Sequence, residues 1–153
     1  MNNQTSLCIE KPPIIEGQKY IIQILATNEV GLVSTAASKP FTLDNSPPDI
    51  GVITVSNTIG KQFDFISTSL LTEWNGFIDR ESGIKEYRVC VGTEPGLCNI
   101  TNNATVGNVF HHTWYNLSLL NSEDYFVSIW SINNAGLSSD YISSEPFYVD
   151  TTG

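Results

Sequence analysis

The sequence predicts an all-β fold of antiparallel sheets packed as a sandwich. Three observations carry this expectation: a composition suited to strands and turns, short alternating apolar segments set between turn residues, and an internal repeat with the length of a whole sandwich module. Of the 153 residues, 41% are hydrophobic, enough for a core, and only 15% are charged, which argues against a helical bundle or a disordered tail. Thr, Ser, Asn, Ile and Val are abundant. β-Branched side chains fit a pleated surface, and Ser and Asn bond to nearby backbone in turns. No segment combines a 3.6-residue apolar period with helix caps.

The strand signals follow one another along residues 46–151. Residues 50–55 read as a first strand. Residues 68–75 read as a second, with Leu70, Thr72 and Trp74 on one face. Residues 84–91 form a third, with Tyr87, Val89 and Val91 turned inward. Gly92-Thr93-Glu94-Pro95-Gly96 reads as a hairpin turn, and residues 97–100 as the returning strand. Residues 110–119 give the next strand. Residues 125–132 alternate with Tyr125, Val127 and Ile129 inward, and residues 146–149 close the unit through Phe147 and Val149.

The repeat organises the chain. Tyr20, Asn28, Gly31 and Leu32 recur as Tyr125, Asn133, Gly136 and Leu137, an offset of 105 residues. One inserted residue later, Ser38-Lys39-Pro40-Phe41 meets Ser144-Glu145-Pro146-Phe147, and Asp44 meets Asp150. Solenoid repeats are far shorter, about 20–50 residues; a sandwich module has about 100. The sequence therefore reads as the end of one module, residues 1–45, and a complete second module, residues 46–151. The joint is Asp44-Asn45-Ser46-Pro47-Pro48, whose proline pair cannot continue a ladder and favours extended geometry.

Each repeated tyrosine follows an aliphatic residue six positions upstream, Ile14 before Tyr20 and Leu119 before Tyr125. This resembles a tyrosine corner, in which the phenol bonds back to an upstream backbone group. The Asn-x-x-Gly-Leu turn resembles the one after the sixth strand of fibronectin type III modules, and Trp74 matches the core tryptophan of their second strand. The chain thus resembles the fibronectin type III family. The resemblance implies an immunoglobulin-like antiparallel sandwich over residues 46–151, preceded by the last strands of a similar module. It also implies a non-catalytic spacer and interaction scaffold, with neighbouring modules and other extracellular proteins as partners. Residues 1–45 offer too few strands for a sandwich, which leaves Tyr20, Ile22, Ile24 and Phe41 without an opposing sheet. The expectation is an excerpt from a longer chain.

Charge narrows the function classes. The net charge is −9 and the seven basic residues are scattered, so a nucleic-acid backbone would be repelled. Acidity suits solubility, or attraction of calcium or basic partners. No apolar run reaches the ~18 residues of a membrane span, and Met1-Asn2-Asn3-Gln4 lacks the basic start and apolar stretch of a signal peptide. No G-x-S-x-G, H-E-x-x-H, P-loop, C-x-x-C, EF-hand or Arg-Gly-Asp pattern occurs, and no catalytic residue or cofactor is expected.

Cys90 and Cys98 flank the expected hairpin turn, where a disulfide is geometrically possible; the alternative is two free thiols. Closing so small a loop is worth about 2.5 kcal/mol in the chain-entropy account. Cys8 is left over. Four N-glycosylation sequons begin at Asn3, Asn99, Asn103 and Asn116, with Asn99 and Asn103 in a polar loop. Sequons together with a disulfide point to an extracellular or cell-surface setting.

Asp79 and Glu81 offer carboxylates to a calcium ion, but their spacing lacks the regular pattern of a calcium loop. The competing reading is a structural turn in which Asp79 or Ser82 caps N–H groups and Gly83 supplies a special backbone angle. His111 and His112 are adjacent and point to opposite strand faces, so they read as ordinary strand residues. Trp130 lies opposite the Tyr125–Ile129 face, either as a partner contact or covered by neighbours. Two other classes of function stay open: a receptor ectodomain fragment, and a carbohydrate-binding accessory module using Trp114, Tyr115 and Trp130.

Overall fold

A computed structural model describes residues 14–56, 58–59, 62–63 and 69–149. Asn3, Cys8 and Asp150, singled out above, lie outside them. The chain divides into two compact units, Met1–Asn45 and Ser46–Gly153. No helix occurs among the described residues. The N-terminal unit holds β1 (Lys19–Tyr20), β2 (Gln23–Thr27), β3 (Val33–Ala37) and β4 (Phe41–Thr42). There β1 pairs with β4 and β2 with β3, both antiparallel.

The C-terminal unit holds β5 (Val52–Val55), β6 (Thr58–Ile59), β7 (Gln62–Phe63), β8 (Ser69–Asn75), β9 (Ile84–Gly92), β10 (Ala104–Val106), β11 (His111–Tyr115), β12 (Phe126–Asn133), β13 (Ile142–Ser143) and β14 (Tyr148–Val149). They form a three-stranded sheet β11-β8-β5, a four-stranded sheet β10-β9-β12-β13 and a small sheet β14-β7-β6. The β14–β7 pair is parallel; the other strand pairs are antiparallel.

One core joins the two larger sheets in a sandwich-like arrangement, and period-two alternation places its side chains. From β8 come Leu70 and Trp74; from β9 Tyr87, Val89 and Val91; from β12 Val127 and Ile129, all buried. The Trp74 ring lies 5.4 Å from that of Tyr87, and Phe77 meets the same tyrosine edge-on at 5.4 Å. Burial pushes the Tyr87 phenol above its ordinary pKa. The inward sets expected for residues 68–75, 84–91 and 125–132 are all buried.

Residues 97–100 form no strand, although Ile100 N–H donates to the Val91 carbonyl at 3.1 Å; the strand paired beside β9 is β10, with Ala104 opposite Val89 and Val106 opposite Tyr87. The short strands β6, β7 and β13 are likewise not marked by the sequence pattern. The intervening loop lies against the sheet, as described below.

The two repeat copies share their hydrogen bonds. The Ile15 N–H donates to the Tyr20 hydroxyl (2.6 Å), and the Leu120 N–H to that of Tyr125 (2.7 Å). The partner is thus five residues upstream, one nearer than the aliphatic residue that marked the corner in the sequence. Leu32 N–H donates to Asn28 Oδ1 at 2.9 Å, and Leu137 N–H to Asn133 Oδ1 at 2.8 Å. Gly31 and Gly136 take φ of 83° and 87°, where a side chain would be strained. The Ser38 and Ser144 hydroxyls accept from Ile22 and Val127 N–H, each at 3.0 Å. Even the pairing agrees: Ile24 faces Ala36 and Ile129 faces Ile142, positions that align once the inserted residue is counted.

Thr72 stands on the inward face of β8, 0% exposed, and its hydroxyl has no hydrogen-bond partner among the described residues. Leaving such a group unsatisfied costs about 1–3 kcal/mol. Thr72→Val keeps the branched shape and removes the orphan hydroxyl, so it is expected to stabilise the unit by about 1 kcal/mol, whereas Trp74→Ala should cost about 3–5 kcal/mol. Thermal unfolding measures both; a Thr72→Val protein melting below the wild type contradicts this account.

Candidate functional site

The outward face of the four-stranded sheet is built by alternate residues of β9 and β12. Cys90 sits opposite Ser128, and Arg88 opposite Trp130. Cys90 is bonded to Cys98, so the disulfide that the sequence allowed is present, with Cys98 in the loop between β9 and β10 rather than on a returning strand. The loop 92–99 instead folds back over the sheet face. Gly92 makes this possible: a Cβ there would collide with the Leu97 carbonyl. Gly96 N–H donates to Ser128 Oγ at 2.9 Å, and Ser128 Oγ lies 2.7 Å from Ser143 Oγ. Asn99 fastens the loop from within, its Oδ1 accepting from Thr93 N–H at 3.0 Å and its Nδ2 donating to Thr93 Oγ1 at 2.9 Å. The sheet face under the loop is thereby closed, with Cys90 and Ser128 both buried.

Beside this loop an aromatic pair remains accessible. Trp130 is half-buried and its ring lies 5.9 Å from that of Tyr141, which is 48% exposed. Tyr141 also seats its ring against Gly96, where a Cβ would press on it. Arg88, directly opposite Trp130, is exposed. Sequence reasoning found Trp130 and missed Tyr141. The repeat aligns Leu25 and Thr35 with Trp130 and Tyr141, but that the two positions face each other is visible only in the strand register, Leu25 opposite Thr35.

The three aromatics considered for carbohydrate binding do not share a face. Trp114 is 7% exposed and belongs to the core, its neighbour Tyr115 is exposed, and Trp130 lies on the other sheet. Asn99, Asn103 and Asn116 are exposed. Asn116 directly follows β11 with φ of 53°, a conformation that asparagine tolerates better than most residues.

His111 is exposed and His112 half-buried, its ring 4.4 Å from Trp114. Burial and then the neighbouring His111 charge push the His112 imidazole below its ordinary pKa.

Asp79 organises the turn between β8 and β9. Its Oδ1 accepts from Ser82 N–H (2.8 Å), Gly83 N–H (2.7 Å) and Ser82 Oγ (3.3 Å). Its Oδ2 accepts from Asn133 Nδ2 at 2.9 Å. The same amide donates to the Ser46 carbonyl at 3.0 Å, so the fully buried Asn133 ties three segments together. Gly83 has φ of 79°, as a structural turn needs. Glu81 accepts from Ser46 Oγ at 3.4 Å.

The chain matches no known family model, and no curated protein matches it in sequence.

Burial opposes charge on Asp79, but the bonds from Asn133, Ser82 and Gly83 outweigh it and hold the carboxyl below its ordinary pKa. This stabilisation is complete above the ordinary aspartate range and is lost as pH falls through the lower native value. Asp79→Asn points an amide at donors that need an acceptor, and is expected to cost about 1–2 kcal/mol at neutral pH. Denaturant unfolding at a series of pH values should show wild type and variant converging in acid. A gap that stays constant down the pH series contradicts the assignment.

Proposed function

We propose that this chain is a non-catalytic part of an extracellular or cell-surface protein, built from tandem fibronectin type III-like modules and acting as spacer and protein-interaction scaffold. The observation that carries the reading is the duplication of one strand–turn–strand device, with matching tyrosine, asparagine and serine hydrogen bonds, in two successive units. Repeating a unit of about 100 residues lengthens an array without adding chemistry. The Cys90–Cys98 disulfide suits an oxidising compartment, and three exposed sequon asparagines suit passage through one that glycosylates. The unlike faces of Trp114, Tyr115 and Trp130 weigh against a carbohydrate-binding accessory module.

A second reading, recognition of a specific protein partner, is favoured by one observation. Trp130 and Tyr141 form an accessible aromatic pair beside Arg88, and Trp, Tyr and Arg are the residues that most often dominate binding energy at interfaces.

Protein secreted from eukaryotic cells is expected to carry the Cys90–Cys98 bond and glycan on at least one of Asn99, Asn103 and Asn116, read by peptide mass spectrometry without reduction. Free thiols and bare asparagines in such material would sink the extracellular reading. A surface-display screen with wild type and Trp130→Ala/Tyr141→Ala separates spacer from recogniser: only recognition loses binding in the double variant.

A further inference from the structure

Asn99, Asn103 and Asn116 all head sequons and all are exposed, yet Asn99 stands apart from the other two. Its side-chain amide is used inside the closed 92–99 loop. Thr93 N–H donates to Asn99 Oδ1 at 3.0 Å, and Asn99 Nδ2 donates to Thr93 Oγ1 at 2.9 Å. A backbone N–H only donates, so the atom it meets is the amide oxygen and the orientation of the amide is fixed. Both partners belong to one residue, so the hydrogen given to Thr93 Oγ1 is the one on the Oδ1 side of Nδ2. The rest of this sequon is engaged as well. Thr101 Oγ1 accepts from Val91 N–H at 2.9 Å, and the Ile100 and Thr101 N–H groups both donate to the Val91 carbonyl at 3.1 Å. Asn103 and Asn116 donate from their amides to no group among the described residues, and their sequon hydroxyls, on Thr105 and Ser118, belong to exposed residues.

N-glycosylation joins Nδ2 to the anomeric carbon of an oligosaccharide activated as a pyrophosphate ester. The bond from that carbon to the pyrophosphate oxygen breaks, the pyrophosphate leaves with the electron pair, and Nδ2 gives up one proton. The product is a secondary amide. Such amides are planar and trans, which sets the new substituent on the same side as the carbonyl oxygen. The sugar therefore replaces the hydrogen that Asn99 gives to Thr93, and its first ring falls where Thr93 Oγ1 stands. We propose that the closed, disulfide-bonded 92–99 loop and a glycan on Asn99 exclude each other. Asn99 is modified only in chains whose loop has not closed, while Asn103 and Asn116 accept glycan in either state. The order of events then decides the outer face of the sheet. The closed loop holds Gly96 on Ser128 and against the Tyr141 ring. A glycan on Asn99 undoes the Thr93 clasp directly beside Cys98 and releases the loop from that face. The inference rests on the secretory reading above and goes beyond it by coupling one sequon to one disulfide.

The test secretes the full chain from eukaryotic cells, blocks free thiols by alkylation before digestion, and reads glycan and cysteine state site by site by mass spectrometry without reduction. In the wild type, chains with the Cys90–Cys98 bond are expected to have a bare Asn99 and glycan on Asn103 or Asn116, and any chain with glycan on Asn99 to have alkylated cysteines. In Cys90→Ser/Cys98→Ser, Asn99 occupancy should rise several-fold with Asn103 and Asn116 unchanged, which separates loss of the loop from general misfolding. Thr93→Ala removes the hydroxyl that competes with the sugar and keeps the backbone N–H on Oδ1. It should therefore yield single chains carrying both the disulfide and an Asn99 glycan. Wild-type chains carrying both in comparable proportion to those carrying the disulfide alone overturn the proposal. So does an Asn99 that stays bare in Cys90→Ser/Cys98→Ser while Asn103 or Asn116 is glycosylated. All three asparagines bare in every protein overturns the secretory reading, and this proposal with it, so the two failures are told apart.

Discussion

The contact between Trp74 on β8 and Tyr87 on β9, 5.4 Å between ring centroids, is where the two sheets of the C-terminal unit become one body. A two-layer β fold rests on such contacts, because an amphipathic sheet gains little from its ladder alone and is stabilised by covering its apolar face. Phe77 extends the contact at the sheet edge, and Leu70, Val89, Val127 and Ile129 continue it through the core. In the C-terminal unit the inward residues are buried; in the N-terminal unit, at aligned positions, Ile22, Ile24 and Phe41 are exposed and Tyr20 and Leu43 half-buried. The same local sequence is therefore compatible with both outcomes.

Turns and corners behave differently from the core. The tyrosine hydroxyl, the asparagine side chain and the serine hydroxyl make the same backbone bonds in both units. Their partners lie within about twenty residues along the chain, so they close without any help from a facing sheet. Asn133 then takes on more than Asn28 does. Its amide reaches Asp79 and the Ser46 carbonyl, which converts a local turn into a clasp between β12, the β8–β9 turn and the entry to the unit. A buried amide with several bonds satisfied at once resists loosening, since breaking one leaves polar groups without water or partner.

The outer surface carries the features with the clearest bearing on interaction. The loop closed by Cys90–Cys98 covers one part of the four-stranded sheet and leaves Trp130 and Tyr141 accessible beside it. Gly92 and Gly96 permit this arrangement through close approach, one to the Leu97 carbonyl and the other to the Tyr141 ring. Exposed sequon asparagines on the 92–103 segment and after β11 would place glycans on both sheets.

The sequence by itself determined the all-β class, the inward faces of β8, β9 and β12, and the repeat and its turn; it marked Cys90 and Cys98 as able to bond, and the structure decided that they do. Each is written in short-range terms: period-two alternation, a left-handed glycine, or two thiols eight residues apart. Tertiary structure decided the rest. Whether residues 97–100 form a regular strand or belong to a loop laid over the sheet face depends on Gly92 and Ser128, which are distant in sequence or silent in pattern. Tyr141 became part of the aromatic pair only through the register of β12 against β13, and Trp114 proved a core residue only once β11 was placed beside β8. Alternation says that one face of a strand is apolar; which surface meets it is fixed by the packing of whole sheets.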